Sequence, residues 1–380
     1  MREAQLETLR SRLAALGRPH TPVDVAAALR DLGEVVTDAL VRETVSELRR
    51  HSVGAGPLDA LLAEPGVSDV LVNGPREVFV DRGSGLERAQ VAFVDDEQVR
   101  RLAIRLAAAA GRRLDDSAPF VDGRLPDGTR LHAVLAPVAE PGTCLSLRVP
   151  ARRSFALDGL VAAGSLPPAG ADLLRALVER RVPFLVSGGT GTGKSTLLSA
   201  LLALVPAEER IVLVEDAREL QPAHPHCVRL EGRPPNGEGT GAIALTTLVR
   251  QALRMRPDRV VLGEVRGGEL TDLLTALNTG HEGGCGTVHA NSIADIPARL
   301  EALAALGGLG RDACHAQVAA ALKAVIHVRR QRDGARQVAG VGVFRRAVGG
   351  LVEVAPAVSF TADGVQREEA ADRLDDLVSS

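Results

Sequence analysis

The sequence predicts an α/β fold, a mostly parallel sheet covered by helices on both faces. A smaller α+β module and a helical N-terminal extension precede it. Three observations carry this expectation. From residue 182 onward, short near-continuous apolar runs alternate with stretches of helical length, as in a parallel sheet buried on both sides. Between about Gly54 and Pro150 the pattern changes to short strands separated by turn signals. Before Gly54, leucines recur at helical spacing.

Taken in order, Leu6, Leu9, Leu13 and Leu16 fall on one stripe, and Val23 to Arg50 continues the pattern with charged faces. Residues 1–53 therefore read as a helical extension, either a small bundle packed on the next domain or a docking surface for a partner. The module over 54–150 opens with the strands "VSDVLVN", "EVFVDR" and "LERAQVAFV", with "NGP" and "RGSG" as turns. A helix over "DEQVRRLAIRLAAAAG", a hairpin around "LPDGTRLHAVLAP" and a strand "GTCLSLRVP" complete it. Residues 151–168 read as a linker into the last part, 169–380. There the strands "VPFLVSG", "RIVLVED", "RVVLGEV" and "GCGTVHA" alternate with helices at "STLLSALLALV", "LTTLVRQALRM" and "LTDLLTALNTG".

Composition bounds the function. A chain of 380 residues, 45% hydrophobic, can bury two cores. No apolar run approaches the ~18 residues of a membrane span, and the start "MREAQLETLRSR" is too polar for a signal peptide. The four cysteines form no C-x-x-C pair, so a reducing cytoplasm is expected. Net charge is −3, Trp and Tyr are absent, and Phe79, Phe93 and Phe184 sit in apolar runs that a core would bury. Basic residues are interleaved with acidic ones, as in "QREEAADRLDD". A nucleic-acid groove, which needs a basic track and stacking platforms, is therefore not expected. "HPHC" (His224 to Cys227) reads as a plain loop, and the pairs Arg152–Arg153 and Arg329–Arg330 as solvated faces.

The chemistry begins at "GGTGTGKS", Gly188 to Ser195, which matches G-x-x-x-x-G-K-[ST] after an apolar strand and before an apolar helix. Gly188, Gly189, Thr190, Gly191, Thr192, Gly193, Lys194, Ser195 and Thr196 are the expected nucleotide-binding residues. Glycines let backbone N–H groups turn inward around phosphate oxygens, and the helix N-terminus adds its positive end. The chain has 43 arginines and only two lysines, yet a lysine stands at 194. A compact ammonium reaches between β- and γ-phosphates inside a tight backbone cradle where a planar guanidinium would not fit. Ser195 offers a hydroxyl for Mg²⁺, so ATP with Mg²⁺ is the expected ligand.

Three later strands end in groups suited to hydrolysis. "RIVLVEDAREL" ends in Glu215 and Asp216, with Glu219 following; "RVVLGEVRG" ends in Glu264, with Arg266 after it; "GCGTVHANS" ends in His289. Ligands of open α/β sheets sit at the carboxyl ends of strands, which places these side chains beside the phosphate loop. Glu264 suits the role of orienting water. Gly263 stands where a metal-binding aspartate is usual, so Mg²⁺ would rest on Ser195, the phosphates and water, helped by Glu215.

Six motifs in this order, spread over residues 54–345, resemble the type II/type IV secretion ATPase family, in its CpaF-like (TadA-like) branch that drives tight-adherence pili. They are "GPLDALLAEPGVSDVLVNGPREVFVDR", "DGRLPDGTRLHAVLAPVA", "SGGTGTGKSTLLSALL", "VEDARELQ", "ALRMRPDRVVLGEVRGGE" and "TALNTGHEGGCGTVHANS". The resemblance implies a RecA-like nucleotide-binding domain with an acidic box at Glu215, Asp216 and Glu219. It also implies a Walker B glutamate at Glu264 and a histidine box at His281 and His289. Arginines of the preceding domain, Arg124 and Arg130 with Arg148 a weaker match, would reach the γ-phosphate as the domains close. Cys285 and Glu282 depart from the family's more usual serine and aspartate. A homo-oligomeric ring, a hexamer, is implied, docked on inner-membrane platform proteins of a pilus or secretion machine at the cytoplasmic face. The rival expectation is a conjugation-associated DNA translocase on a related core. A nucleotide-gated scaffold without turnover is a third, disfavoured by Glu264.

Overall fold

The computed structural model describes residues 21–32, 54–83, 85–150, 156–233, 240–331, 334–361 and 364–379, with positions 9, 36, 37, 40, 41, 44 and 235 besides. The chain divides into two compact units, Met1–Pro150 and Ala151–Ser380.

In the first unit, α1 (Pro22–Asp31) begins at a capping box: Thr21 accepts from the Asp24 N–H while Asp24 accepts from the Thr21 N–H. Its inner residues Val25, Ala28 and Leu29 bury against Leu9; Leu6, Leu13 and Leu16 lie outside the described residues. After the short α2 (Asp59–Ala63), six strands form one antiparallel sheet in the order β3-β2-β1-β6-β5-β4. They are β1 (Asp69–Asn73), β2 (Val78–Asp81), β3 (Leu86–Arg88), β4 (Phe120–Arg124), β5 (Arg130–Val134) and β6 (Cys144–Arg148). The helix α3 (Asp96–Ala109), capped by Asp95, lies between β3 and β4 in sequence.

Alternation decides which sheet face is covered. Val70, Val72, Val78, Val80, Leu131, Ala133, Leu145 and Leu147 point inward and share a core with Val99, Leu102 and Leu106 of α3. The expected strand "LERAQVAFV" pairs only over Leu86–Arg88, all exposed, because Phe93 leaves the sheet to bury in the core. Phe79 is only half-buried, since it belongs to the opposite sheet face, and Phe120 there is exposed.

The second unit runs α4 (Leu157–Ala162), α5 (Pro168–Glu179), β7 (Phe184–Gly188), α6 (Lys194–Leu202), β8 (Ile211–Glu215) and β9 (Cys227–Glu231). It continues through α7 (Leu245–Ala252), β10 (Arg259–Val265), α8 (Glu269–Leu277), β11 (Cys285–His289), α9 (Ile296–Leu306) and α10 (Arg311–Ala321). It ends with β12 (Ala324–Arg330), β13 (Arg336–Arg346), β14 (Val352–Thr361), β15 (Gly364–Arg367) and α11 (Ala371–Ser379). The segment expected to be a linker thus carries a helix, α4, anchored by the buried Leu157.

The sheet order is β15-β14-β13-β12-β7-β11-β10-β8-β9. Strands from β9 to β12 in that order are parallel, and β12 to β15 form an antiparallel meander. One face is covered by α5, α6 and α11, through residues such as Leu174, Leu198 and Leu374. The other is covered by α7 to α10, through Val249, Leu273, Leu300 and Val318. Strands β7 and β8 are buried at every position, as their unbroken apolar runs predict.

Candidate functional site

The phosphate loop leaves the central strand β7. Gly188 closes that strand with φ 153°, and a Cβ there would collide with the Val328 carbonyl of β12. Gly193 caps α6 with φ 96°, in the left-handed region, so the helix can begin at Lys194 directly after a tight turn. The Lys194 ammonium folds back over the loop, donating to the carbonyls of Gly188 (3.0 Å) and Gly189 (2.8 Å). Burial holds its pKa below the usual lysine value, with the carboxylates of Glu264 and Glu219 opposing the shift.

Strands β11 and β7 pair in parallel with His289 opposite Gly188, which brings the imidazole to Lys194. Its Nδ1 lies 3.5 Å from the ammonium, and its Nε2 lies 2.6 Å from Glu264 Oε1. Burial, and then the Lys194 charge, holds the pKa of His289 below the ordinary histidine value, outweighing the glutamate. Those partners fit a neutral ring with the proton on Nε2, donating to Glu264 and accepting at Nδ1.

Glu264 is aimed there by a break in pairing. The register of β10 against β11 shifts between Leu262 and Val265. Bulges of this kind re-aim a side chain. The Thr287 hydroxyl fixes the bulge by donating to the Gly263 carbonyl at 2.7 Å. The second carboxylate oxygen of Glu264 accepts from Arg266 at 2.6 Å, and Arg266 also faces Asp216 at 3.7 Å.

The acidic box separates into three roles of position. Glu215 is buried, its Oε1 accepting from the Glu219 and Leu220 N–H groups. Burial raises its pKa to about 7. It therefore anchors the turn that carries Glu219 to within 3.3 Å of the Ser195 hydroxyl. Asp216 stays at the surface against Arg266.

On the side of the loop lined by Thr196 and Leu197 lies a cavity of about 300 Å³. Leu160, Val328, Arg336 and Val338 are among the other residues of its walls. Arg336, from the start of β13, donates from Nε to the Gly191 carbonyl at 3.0 Å.

A family model described as "Type II/IV secretion system protein" matches residues 51–366. The chain belongs to that family. Among relatives of this secretion-system protein is a putative conjugal transfer protein of Mycobacterium tuberculosis. It is 53% identical over 349 residues, covering 90% of this chain and 98% of that one. The type IV secretion system protein PtlH of Bordetella pertussis is 36% identical over 254 residues, 61% of this chain and 75% of its own length. The solved pilus retraction motor PilT with bound ADP aligns over 84% of both chains with TM-score 0.52 at 19% identity. That likeness speaks to the fold, an α+β unit followed by a RecA-like α/β unit.

Within the secretion-system protein, Lys194, Ser195, Glu219, Glu264, Arg266 and His289 converge on the phosphate loop. His281 does not. It precedes β11 at the Phe184 end of the strand pair, opposite the end where His289 meets Gly188. The histidine pattern spans a whole strand, so its two members lie at opposite ends of β11. Arg124, Arg130 and Arg148 belong to the first unit, where pairing aligns them in one row: Arg124 opposite Arg130, Arg130 opposite Arg148. Arg148 in turn faces Asp69, with Nε 2.9 Å from its carboxylate. Sequence reasoning did not single out Arg336, which lies far along the chain from the loop it touches.

Proposed function

We propose that this chain hydrolyses ATP to drive a secretion or pilus-assembly machine of the tight-adherence type. It would work as a hexameric ring at the cytoplasmic face of the inner membrane. The observation that carries hydrolysis is the Glu264–His289 pair standing beside Lys194 at the mouth of the phosphate loop. On ATP arrival the Lys194 ammonium exchanges two backbone carbonyls for β- and γ-phosphate oxygens, and the loop N–H groups take the rest. The nucleoside enters the cavity beside Thr196 and Leu197, on a different side of α6 from Lys194.

Glu264, freed from part of its pairing, orients the attacking water, and neutral His289 holds that carboxylate in place. Magnesium fits the hard oxygen donors near the loop, the Ser195 hydroxyl and the Glu219 carboxylate. When bound it supplies charge neutralisation of the β- and γ-phosphates. The row of Arg124 and Arg130, with Arg148 at its end, would meet the transferring charge as the first unit closes on the nucleotide. Inner-membrane platform proteins are the partners, and no described helix is long and apolar enough to cross a membrane.

A second reading, a DNA translocase of a conjugation apparatus, is favoured by one observation: the Mycobacterium tuberculosis relative is described as a putative conjugal transfer protein. Steady-state phosphate release decides between them. Membranes containing platform proteins should raise turnover, and DNA should leave it nearly unchanged at physiological salt. Strong stimulation by DNA alone, falling steeply with salt, would replace the first reading by the second.

A further inference from the structure

The phosphate loop is held from outside by a residue that its sequence pattern does not contain. Arg336 Nε donates to the Gly191 carbonyl at 3.0 Å, and its Cδ lies 3.3 Å from where a Cβ on Gly193 would stand. The arginine stem therefore runs across the loop and forms part of the cavity wall beside it. Among the described residues no carboxylate lies within ion-pair distance of its guanidinium, unlike Arg266, which has two. Other arginines of the same sheet region find a glutamate or aspartate, as the half-buried Arg345 and the exposed Arg367 do. This one is directed at a backbone carbonyl of the loop instead.

The consequence follows from peptide geometry. In a trans peptide the C=O and the following N–H point in opposite directions. Pulling the Gly191 carbonyl toward Arg336 therefore turns the Thr192 N–H away from it. The Thr192 hydroxyl fixes the same turn from the other end by donating to the Gly189 carbonyl at 2.9 Å. Gly191 has φ 71° and a Cβ there would meet nothing within 4 Å, so little else restrains this peptide. A loop of four glycines in six residues loses much entropy on ordering. A side chain that orders it before the ligand arrives lowers the cost of binding.

We propose that Arg336 is a positioning residue for nucleotide binding, fixing the 191–192 peptide so that the Thr192 N–H is presented to a phosphate. The proposal rests on the nucleotide reading given above and adds a residue to it. Because the contact exists before binding and persists through the reaction, its loss weakens ground state and transition state alike, so KM changes and kcat does not. A charge-assisted hydrogen bond of this kind, partly exposed, corresponds to about tenfold in affinity.

The test is ADP affinity and steady-state ATP hydrolysis by the full chain, as wild type, Arg336→Ala and Arg336→Lys, with thermal unfolding measured without nucleotide. Arg336→Ala should weaken ADP binding and raise KM about tenfold, with kcat within about twofold. Lysine, whose ammonium can still reach a carbonyl, should recover most of the loss. Unfolding temperatures should coincide for the three proteins. Unchanged ADP affinity in Arg336→Ala would reduce the residue to a surface charge. Tighter binding would make it a brake on the loop, and a lowered unfolding temperature that lysine does not restore would make it a packing residue; each overturns the proposal. Absence of ADP binding by the wild-type chain would instead sink the nucleotide reading on which all of this stands.

Discussion

Glu215 lies across the α-carbon of Gly263, so close that a Cβ on Gly263 would stand 2.5 Å from its Cγ and 3.0 Å from its Oε1. The missing aspartate of β10 thereby acquires a physical reason. A side chain at 263 and the buried carboxyl of Glu215 compete for one volume, and this chain has given it to Glu215. The turn of Glu219 hangs on that choice, because Glu215 accepts its N–H and that of Leu220.

Gly263→Ala should therefore push Glu215 out of its seat. Overpacking of this kind costs roughly 1–3 kcal/mol, and release of the Glu219 turn should also lower ATP turnover. Combining Gly263→Ala with Glu215→Ala should cost less stability than the two single changes added together, since the collision is removed. Simple additivity in denaturant unfolding would show that the two side chains do not compete.

Glu215 also sets a pH dependence. Its pKa is raised by burial from the ordinary carboxyl value to about 7, so the folded chain keeps this proton where the unfolded chain has lost it. Between the ordinary value and about 7 the folded state binds more protons, and stability falls as pH rises. The contribution amounts to about 3 kcal/mol across that window. Glu215→Gln, with no proton to lose, should flatten that part of the stability curve in urea unfolding between pH 5 and 8. A slope identical to wild type would place the effect in another group.

The parts of this protein legible in its sequence are those where one local pattern has one meaning. Strands β7, β8, β10 and β11 are unbroken apolar runs because both faces are covered, and each ends at a chemically marked residue. Strand β9 was not anticipated, because Cys227–Glu231 is half-buried throughout at the sheet edge and carries no periodic signal. The helix α4 hid in a segment rich in glycine, alanine and proline. Convergence of Glu264 and His289 could be expected from strand order alone. The bulge that aims Glu264 could not, since it arises from pairing with β11. Arg336 gave no signal, being one exposed arginine among 43.

Lys194 should prove irreplaceable. Lys194→Ala should abolish turnover without lowering the unfolding temperature, since its observed partners are loop carbonyls and a histidine and not core side chains. Lys194→Arg should fail nearly as badly, because the wider planar head must fit a space where the lysine as a whole is buried. Turnover near wild type in the arginine variant would refute the argument from size.

Glu264→Gln separates chemistry from binding. The phosphate cradle is untouched, so ADP should bind within a fewfold of wild type while turnover falls at least about 100-fold, in line with loss of a general base. His289→Ala should lower kcat by a smaller factor, because it removes a support of Glu264 while Arg266 still holds the other oxygen. Hydrolysis at the normal rate by Glu264→Gln would move the catalytic role to another carboxylate.

The arginine row of the first unit makes the last prediction. Cross-strand pairing sets three guanidinium groups, Arg124, Arg130 and Arg148, in one row on adjacent strands, and Arg148 pairs with Asp69. Three guanidinium groups in one row suit an incoming phosphate. If the row meets the γ-phosphate, Arg130→Ala should retain ADP binding and lose turnover, since arginines that meet transferring phosphoryl charge contribute roughly 10³–10⁵-fold. Arg148→Ala should lose far less, because Arg148 is the weaker match to the family's arginines. The unfolding temperature, measured alongside, distinguishes lost chemistry from lost fold. Phosphate release by Arg130→Ala at the wild-type rate, in protein confirmed to be oligomeric, would reduce the row to a charged sheet face.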